Sequence, residues 1–120
     1  MAQTVPDARA FSFLRMNERP SKPRSRGITE IRGPYYTPMG RRYLEDVLET
    51  VGEYVDSLKF AGGSFALMPR QRVKELIDLC HAYQVLVSTG GFVEYVLTQG
   101  EDAVDRYIAE CRDLGFDIVE

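Results

Sequence analysis

The sequence predicts an α/β fold built on a parallel sheet, and two observations lead to this prediction. Four short apolar runs that could form strands begin near residues 28, 57, 85 and 116, and so recur about every 30 residues. Between them, apolar residues recur at steps of three and four, which is the spacing of an amphipathic helix. Strands that alternate with helices of this length favour right-handed βαβ units and a parallel sheet.

Each element has its own signal. The predicted strands are residues 27–31, 56–60, 85–89 and 116–120, and the third is continuously apolar, as buried parallel strands usually are. Two helices lie between the first three strands, and the third helical region divides at Gly100 into residues 92–97 and 102–114. The apolar stripes of the first two helices are Leu44, Val47, Leu48, Val51 and Val55, and Val73, Leu76, Ile77 and Cys80.

Two architectures contain such units, an open doubly wound sheet and a (β/α)8 barrel. A barrel typically takes about 250 residues, so four strands in 120 residues correspond to half of one. A chain that ends on a strand without its helix is then expected to be part of a longer barrel. Half a barrel leaves strand edges and an apolar inner face open, so we also expect homo-oligomers.

Composition is that of one globular domain, with 44% hydrophobic and 28% charged residues. No apolar run approaches the roughly 20 residues of a membrane span, and no secretory signal is recognisable. We therefore expect a cytoplasmic protein without a membrane partner. Cys80 and Cys111 lie far apart, each on the apolar side of a helical pattern, which predicts buried free thiols.

Residues 1–26 are predicted to be a basic, irregular arm, and residues 27–120 the βα domain. The arm carries six basic and two acidic residues, although the whole chain has a formal net charge of -3. It contains Pro6, Pro20 and Pro23 and no sustained period. Single-strand nucleic-acid binders interleave aromatic with basic residues, which this arm does not. We predict a lead-in that covers one end of the domain, and no nucleic-acid partner.

Polar residues follow every predicted strand, at the edge where βα loops gather in either architecture. The first loop also contains Tyr35 and Tyr36, which could gate this edge or pack on it. The edge residues are Glu30 and Arg32 from the first strand, Lys59, Gly62, Gly63 and Ser64 from the second, Ser88, Thr89, Gly90 and Gly91 from the third, and Glu120 from the fourth.

These residue types suit the binding of a small anionic, phosphorylated molecule. Glycine pairs let backbone N–H groups approach an anion, and Arg32 and Lys59 could hold its oxygens. Glu30 or Glu120 could ligate Mg²⁺. The plainer interpretation is a set of turns and solvated charges. However, Lys59 lies between Leu58 and Phe60, so its side chain must point to the opposite face of the strand.

At these residues the sequence resembles the phosphosulfolactate synthase family, in the branch that includes plant heat-stress-associated proteins. The segments that carry the resemblance are "KPRSRGIT" (22–29), "LEDVLETVGEYVDSLKFAGGS" (44–64), "VLVSTGGFVEYVL" (85–97) and "LGFDIVE" (114–120). The resemblance implies a (β/α)8 barrel of which this chain covers about the first four βα units. It also implies Mg²⁺-dependent addition of sulfite to phosphoenolpyruvate, on the route to coenzyme M.

The resemblance also implies roles for residues. Lys59 matches a lysine that would bind or protonate the enolate formed when sulfite attacks, and Glu120 matches an acidic position that could face the metal. Gly62, Gly63 and Ser64 match one anion-binding loop, and Thr89, Gly90 and Gly91 belong to the next. In the first loop, "EIRGPYY" replaces an Asp-Lys-Gly type of sequence. This departure leaves a second hypothesis open, a non-catalytic, stress-associated protein that acts through protein interaction.

Overall fold

Three short parallel strands form the sheet, which is seen in a computed structural model that describes residues 9–33 and 39–120. The strands are β1 (Glu30–Arg32), β2 (Ser57–Lys59) and β3 (Leu86–Ser88), in the order β1-β2-β3. Both neighbouring pairs are parallel, which confirms the parallel sheet. The predicted loop residues Tyr35 and Tyr36 lie outside the described residues.

The fourth predicted strand, residues 116–120, forms only a single bridge, between Ile118 and Ser88. The prediction of a full strand is therefore wrong, and the reason is the neighbouring side chain of Asp117. Its Oδ2 accepts the backbone N–H of Val87 at 2.8 Å, so a side chain takes a bond that a ladder would use. The other strands are also shorter than predicted. The first was predicted from Gly27, but Gly27 has φ +64°, which is not strand backbone, and β1 begins at Glu30.

The helices are α1 (Arg41–Val51), α2 (Arg70–Ala82), α3 (Val93–Val96) and α4 (Ala103–Leu114), with 3₁₀ turns at Gly52–Tyr54, Ser64–Leu67 and Leu97–Gln99. The second of these turns lies in the loop after β2, and the sequence did not predict it. The helices follow the predicted stripes except at the end of α1. Val51 is 39% exposed, and Val55 is buried but lies beyond α1 in extended backbone, so the prediction is wrong for these two residues. None of the helices in the described part of the chain has the length and apolar composition needed to cross a bilayer.

One face of the sheet packs against α1, α2 and α4. Register places Ile31, Leu58 and Val87 side by side, and this row points into the apolar layer between sheet and helices. The buried side chains of that layer include Leu44, Leu48, Leu58, Phe60, Val73, Leu76, Ile77, Val85 and Val87. Cys80 and Cys111 are buried free thiols, as predicted, and burial raises the pKa of Cys80 to about 12.

The described residues of the arm bind the ends of the helices through its basic side chains. Lys22 Nζ donates to the carbonyls of Gly52 (2.8 Å) and Tyr83 (2.9 Å), which follow α1 and α2. Arg24 Nη2 donates to the carbonyl of Glu53. Carbonyl groups at helix ends lack partners within the helix, so cations there stabilise them. These contacts lie at the amino ends of the strands.

Asp56, the residue before β2, joins the arm to the sheet. Its carboxylate accepts from Arg24 Nη1 (2.8 Å), Arg19 Nη2 (3.1 Å) and the backbone N–H of Thr29 (2.9 Å). Burial alone would raise the pKa of Asp56, but these hydrogen bonds and positive charges outweigh it, so the pKa lies below its ordinary value. The Asp56 and Arg24 side chains are only 8% and 7% exposed, so this pair is largely buried.

We expect Asp56→Asn to lower the free energy of unfolding by about 3 kcal/mol at pH 7, because it leaves a buried arginine unpaired. Since the folded pKa of Asp56 is lowered, its stabilising effect is present above the unfolded pKa of about 3.9 and is lost as the pH falls through the folded pKa. Urea unfolding between pH 3 and pH 7 measures both effects.

The matched control is Glu45→Gln, which removes the exposed pair with Arg41 on α1. It should cost less than about 0.5 kcal/mol. Equal losses in the two variants would show that the Asp56 cluster does not fasten the arm.

Candidate functional site

Lys59, the last residue of β2, points away from the apolar layer. Its neighbours Leu58 and Phe60 are buried, whereas the Lys59 side chain is 24% exposed on the other face of the sheet. This confirms the orientation predicted from the sequence. The alternation of side chains along a strand causes it, since Leu58 and Phe60 are both required in the apolar layer.

Two carboxylates flank the Lys59 ammonium group. Glu120 places Oε2 at 2.8 Å and Oε1 at 3.0 Å from Nζ, and Glu30 Oε1 lies at 3.5 Å. Glu30 is the first residue of β1 and Glu120 lies two residues beyond the bridge at Ile118. Residues far apart in sequence therefore meet on one face of the sheet, although Glu30 begins β1 and does not end it as predicted.

Two serines complete the group. Ser57 Oγ donates to Glu30 Oε2 at 2.9 Å, and Ser88 Oγ donates to Glu120 Oε2 at 2.8 Å. We call Glu30, Ser57, Lys59, Ser88 and Glu120 the lysine cluster. Sequence reasoning had no role for Ser57 and noted Ser88 only as an edge residue. The two-residue spacing from Ser57 to Lys59 was the signal that could have placed Ser57 on this face.

The pKa values of Lys59 and Glu120 favour their charged forms. The hydrogen bond with Glu120 raises the pKa of Lys59 above its ordinary value; burial opposes this shift and the charge of Glu30 adds to it. Hydrogen bonds from Lys59 and then Ser88 lower the pKa of Glu120, with a contribution from the charge of Arg32. Lys59 is therefore an ammonium ion at neutral pH.

A protonated lysine can stabilise a negative charge or give up a proton, but it is not a nucleophile. Lysines that form Schiff bases need a lowered pKa, so that the neutral amine is present. Lys59 has the opposite shift. The arrangement thus suits electrostatic or acid chemistry on an anion, at the end of the sheet where α/β proteins hold their ligands.

The other predicted residues are distributed more widely. Gly90 lies beside Lys59, since a Cβ there would lie 3.1 Å from Lys59 Cγ. Thr89 is fully buried, and its hydroxyl donates to the Gly90 carbonyl and accepts the N–H of Glu120. Gly63 instead packs against the ring of Phe92. The structure therefore groups the β3 loop with Lys59.

The remaining four predicted residues have simpler placements. Gly91 lies near the carboxylate of Glu94, and Gly62 has φ +58° with open space where a Cβ would lie. Ser64 begins the 3₁₀ turn after β2. Arg32 is paired in register with Lys59, so it belongs to the same end of the sheet. The positive charge of Arg32 contributes to the lowered pKa of Glu120.

Glu30 and Glu120 do not, as arranged, fit a magnesium ion. All four of their carboxylate oxygens already face Lys59 or a serine hydroxyl. The ammonium group occupies the position between them that a bridging cation would take. Within residues 9–33 and 39–120, no three His, Cys, Asp or Glu side chains gather in a way that could hold a metal.

Gly90 should be intolerant of any side chain, because it has φ +66° and a Cβ would lie 2.5 Å from the carbonyl oxygen of Phe60. We expect Gly90→Ala to lower the free energy of unfolding by roughly 2–4 kcal/mol, the sum of backbone strain and overpacking. Chemical denaturation measures the loss.

The matched control for Gly90→Ala is Gly27→Ala, which has nearly the same φ, +64°, but no atom within 4 Å of a Cβ. It should cost only the strain, about 1–2 kcal/mol. If both variants lose the same free energy, the close approach of Gly90 to β2 does not matter.

Most of the chain matches one known protein family. Residues 17–120 match the family of (2R)-phospho-3-sulfolactate synthase (ComA). The protein HEAT-STRESS-ASSOCIATED 32 of Arabidopsis thaliana is 43% identical over 109 residues, which are 91% of this chain and 38% of that protein.

Two archaeal relatives are named phosphosulfolactate synthase. The protein of Methanothermobacter thermautotrophicus is 35% identical over 92% of this chain and 41% of its own length. The protein of Methanocaldococcus jannaschii is 34% identical over 79% of this chain and 36% of its own. This chain thus spans about two fifths of the length of these relatives. The match over residues 17–120 shows that the chain belongs to the (2R)-phospho-3-sulfolactate synthase family.

Proposed function

We propose that the full-length protein adds sulfite to phosphoenolpyruvate. In this proposal residues 27–120 form the first four βα units of a (β/α)8 barrel, with residues 1–26 as an arm at its amino end. Family membership and the parallel order of β1, β2 and β3 support the barrel. The observation that carries the activity is the Lys59 ammonium group, fixed among polar side chains at the carboxyl end of β2.

The proposed chemistry uses Lys59 as an acid. The lone pair of the sulfite sulfur forms a bond to the terminal carbon of phosphoenolpyruvate. The electron pair of the double bond moves to the adjacent carbon and spreads into the carboxylate, as in an enolate. Lys59 stabilises this charge and gives its proton to the adjacent carbon. A donor that already carries its charge needs no reorganisation as the anion forms.

The remaining groups would bind the anions. Arg32 would hold carboxylate or phosphate oxygens through its planar fork. Gly62, Gly63 and Ser64, and Thr89, Gly90 and Gly91, belong to the two loops nearest this edge. Mg²⁺ dependence is part of the proposal: bound to the substrate phosphate, a group that Mg²⁺ commonly binds, the ion would neutralise part of the negative charge of the substrate.

The test is the formation of the sulfite adduct from phosphoenolpyruvate, sulfite and Mg²⁺, measured by phosphorus NMR. We expect Lys59→Ala to lower kcat by roughly 100-fold or more, the typical effect of losing one preorganised donor. Lys74→Ala is the matched control, because Lys74 pairs with an exposed carboxylate one turn away on α2, far from the lysine cluster in sequence. If Lys59→Ala and Lys74→Ala have the same rate, the catalytic assignment is wrong.

A second candidate function is a stress-associated protein that acts through protein contacts. It is favoured by the identity to the heat-stress-associated relative, 43%, which is above the 35% and 34% to the two synthases. Exposed apolar side chains also support it. Ile28 and Leu86 lie at the open side of the sheet, and Leu86 is 51% exposed. Under this reading we propose that the chain self-associates through that side.

Self-association predicts that Leu86→Glu lowers the molar mass of the 120-residue chain from a dimer or larger assembly to a monomer. The reason is that a charge cannot be buried unpaired in an apolar interface. Light scattering coupled to size exclusion measures the mass. Leu67→Glu, at an exposed site on the 3₁₀ turn after β2, is the control and should change nothing. A monomeric wild-type chain would contradict the proposal.

A further inference from the structure

Ser57 and Ser88 are buried on the face of the sheet that the helices leave open. Ser57 is 4% exposed and Ser88 is not exposed at all, although Leu86 on the same face is half exposed. Register places Ser57 opposite Glu30 and Ser88 opposite Lys59. The carboxylates bonded to the two hydroxyls shield them from solvent.

The proton of the Ser88 hydroxyl has a fixed direction. Its oxygen accepts the backbone N–H of Gly90 at 3.1 Å, and its O–H donates to Glu120 Oε2 at 2.8 Å. A hydroxyl has one proton, so a backbone donor on one side commits that proton to the carboxylate on the other. The tight turn at Gly90 is thereby linked to the position of Glu120.

Ser57 makes the corresponding contact at the other carboxylate. Its hydroxyl donates to Glu30 Oε2, which leaves Oε1 of Glu30 as the oxygen that faces Lys59. Each glutamate is therefore held by one serine and contacts the same ammonium group. Glutamate and lysine side chains lose much rotamer freedom when they are fixed, so a pair in solvent gains little unless other groups hold it.

We infer that Ser57 and Ser88 are positioning residues that hold Glu30 and Glu120 against Lys59. The lysine cluster is then an arrangement that fixes the Lys59 ammonium group, here called the cradle, and it is not a metal site. The cradle is a property of this chain and can be tested without any reaction. Its importance for catalysis rests on the proposed function.

The cradle also indicates how a substrate anion would reach Lys59. An ammonium group has three N–H donors, and the contacts to Glu120 are shorter than the single 3.5 Å contact to Glu30. The Glu30 contact is the weaker one and is the first that a substrate oxygen would replace. Arg32, the other charged group that acts on Glu120, would stay in place.

The first experiment follows the carboxyl and lysine side-chain carbons by NMR in the 120-residue chain. In Ser88→Ala the pKa of Glu120 should rise, because Glu120 loses a donor to its charged form. The pKa of Lys59 should fall, because Glu120 is no longer held against the ammonium group. The Glu30 signal should keep its position. In Ser57→Ala the Glu30 signal should move and the Glu120 titration should stay as in the wild type.

This crossed design controls for unfolding, since a general loss of structure would move both glutamates in both variants. The inference is overturned if Ser88→Ala leaves Glu120 and Lys59 unchanged, or if the two variants give the same pattern. If the expected shifts occur but the full-length protein forms no sulfite adduct, the cradle stands and the proposed reaction falls.

The second experiment tests the metal alternative with Mn²⁺, which takes the same oxygen ligands as Mg²⁺ and broadens nearby NMR signals. We expect micromolar Mn²⁺ to leave the Glu30 and Glu120 signals no broader than those of Asp105 and Glu53, two exposed carboxylates elsewhere. Selective broadening of Glu30 and Glu120 would overturn the cradle, because it would show that a cation competes successfully with Lys59.

Discussion

The parallel pairing of β2 between β1 and β3 is the constraint on which the other features of this chain depend. Its register sets Ile31, Leu58 and Val87 in one row against the helices, and it sets Lys59 beside Arg32 and Ser88 on the opposite face. The apolar row cannot leave the layer between sheet and helices without exposing buried area. The same burial that stabilises the fold therefore fixes where Lys59 points.

The two ends of the sheet use the same side-chain types for different purposes. At the amino end, Arg24 pairs with Asp56 in a largely buried contact, and Lys22 donates to helix-end carbonyls in partly buried ones. At the carboxyl end, Lys59 pairs with Glu120 in a partly exposed place. A buried ion pair without a free side can only fasten structure, whereas a partly exposed ammonium group can exchange a carboxylate for another anion.

Much of the fold followed from the sequence because its signals are local. The stripe of α2, the buried Leu44 and Leu48 of α1 and the orientation of Lys59 depend only on the periods of a helix and a strand. The fourth strand was mistaken because its pairing depends on Asp117, whose side chain reaches the Val87 N–H, and a strand pattern does not reveal such a competing bond. The ion pairs of Asp56 with Arg19 and Arg24 were not predicted either, because they too join side chains that are far apart in sequence.

For the site, the sequence by itself determined that Lys59, Gly90 and Glu120 come to one edge of a parallel sheet, since strand order and strand period suffice for this. Only the tertiary structure decided which of them touch. Distances between side chains on different strands depend on register and on loop packing, and neither is written in a local pattern. The structure thus turned two predicted metal ligands into partners of Lys59 and brought in two serines that bind them.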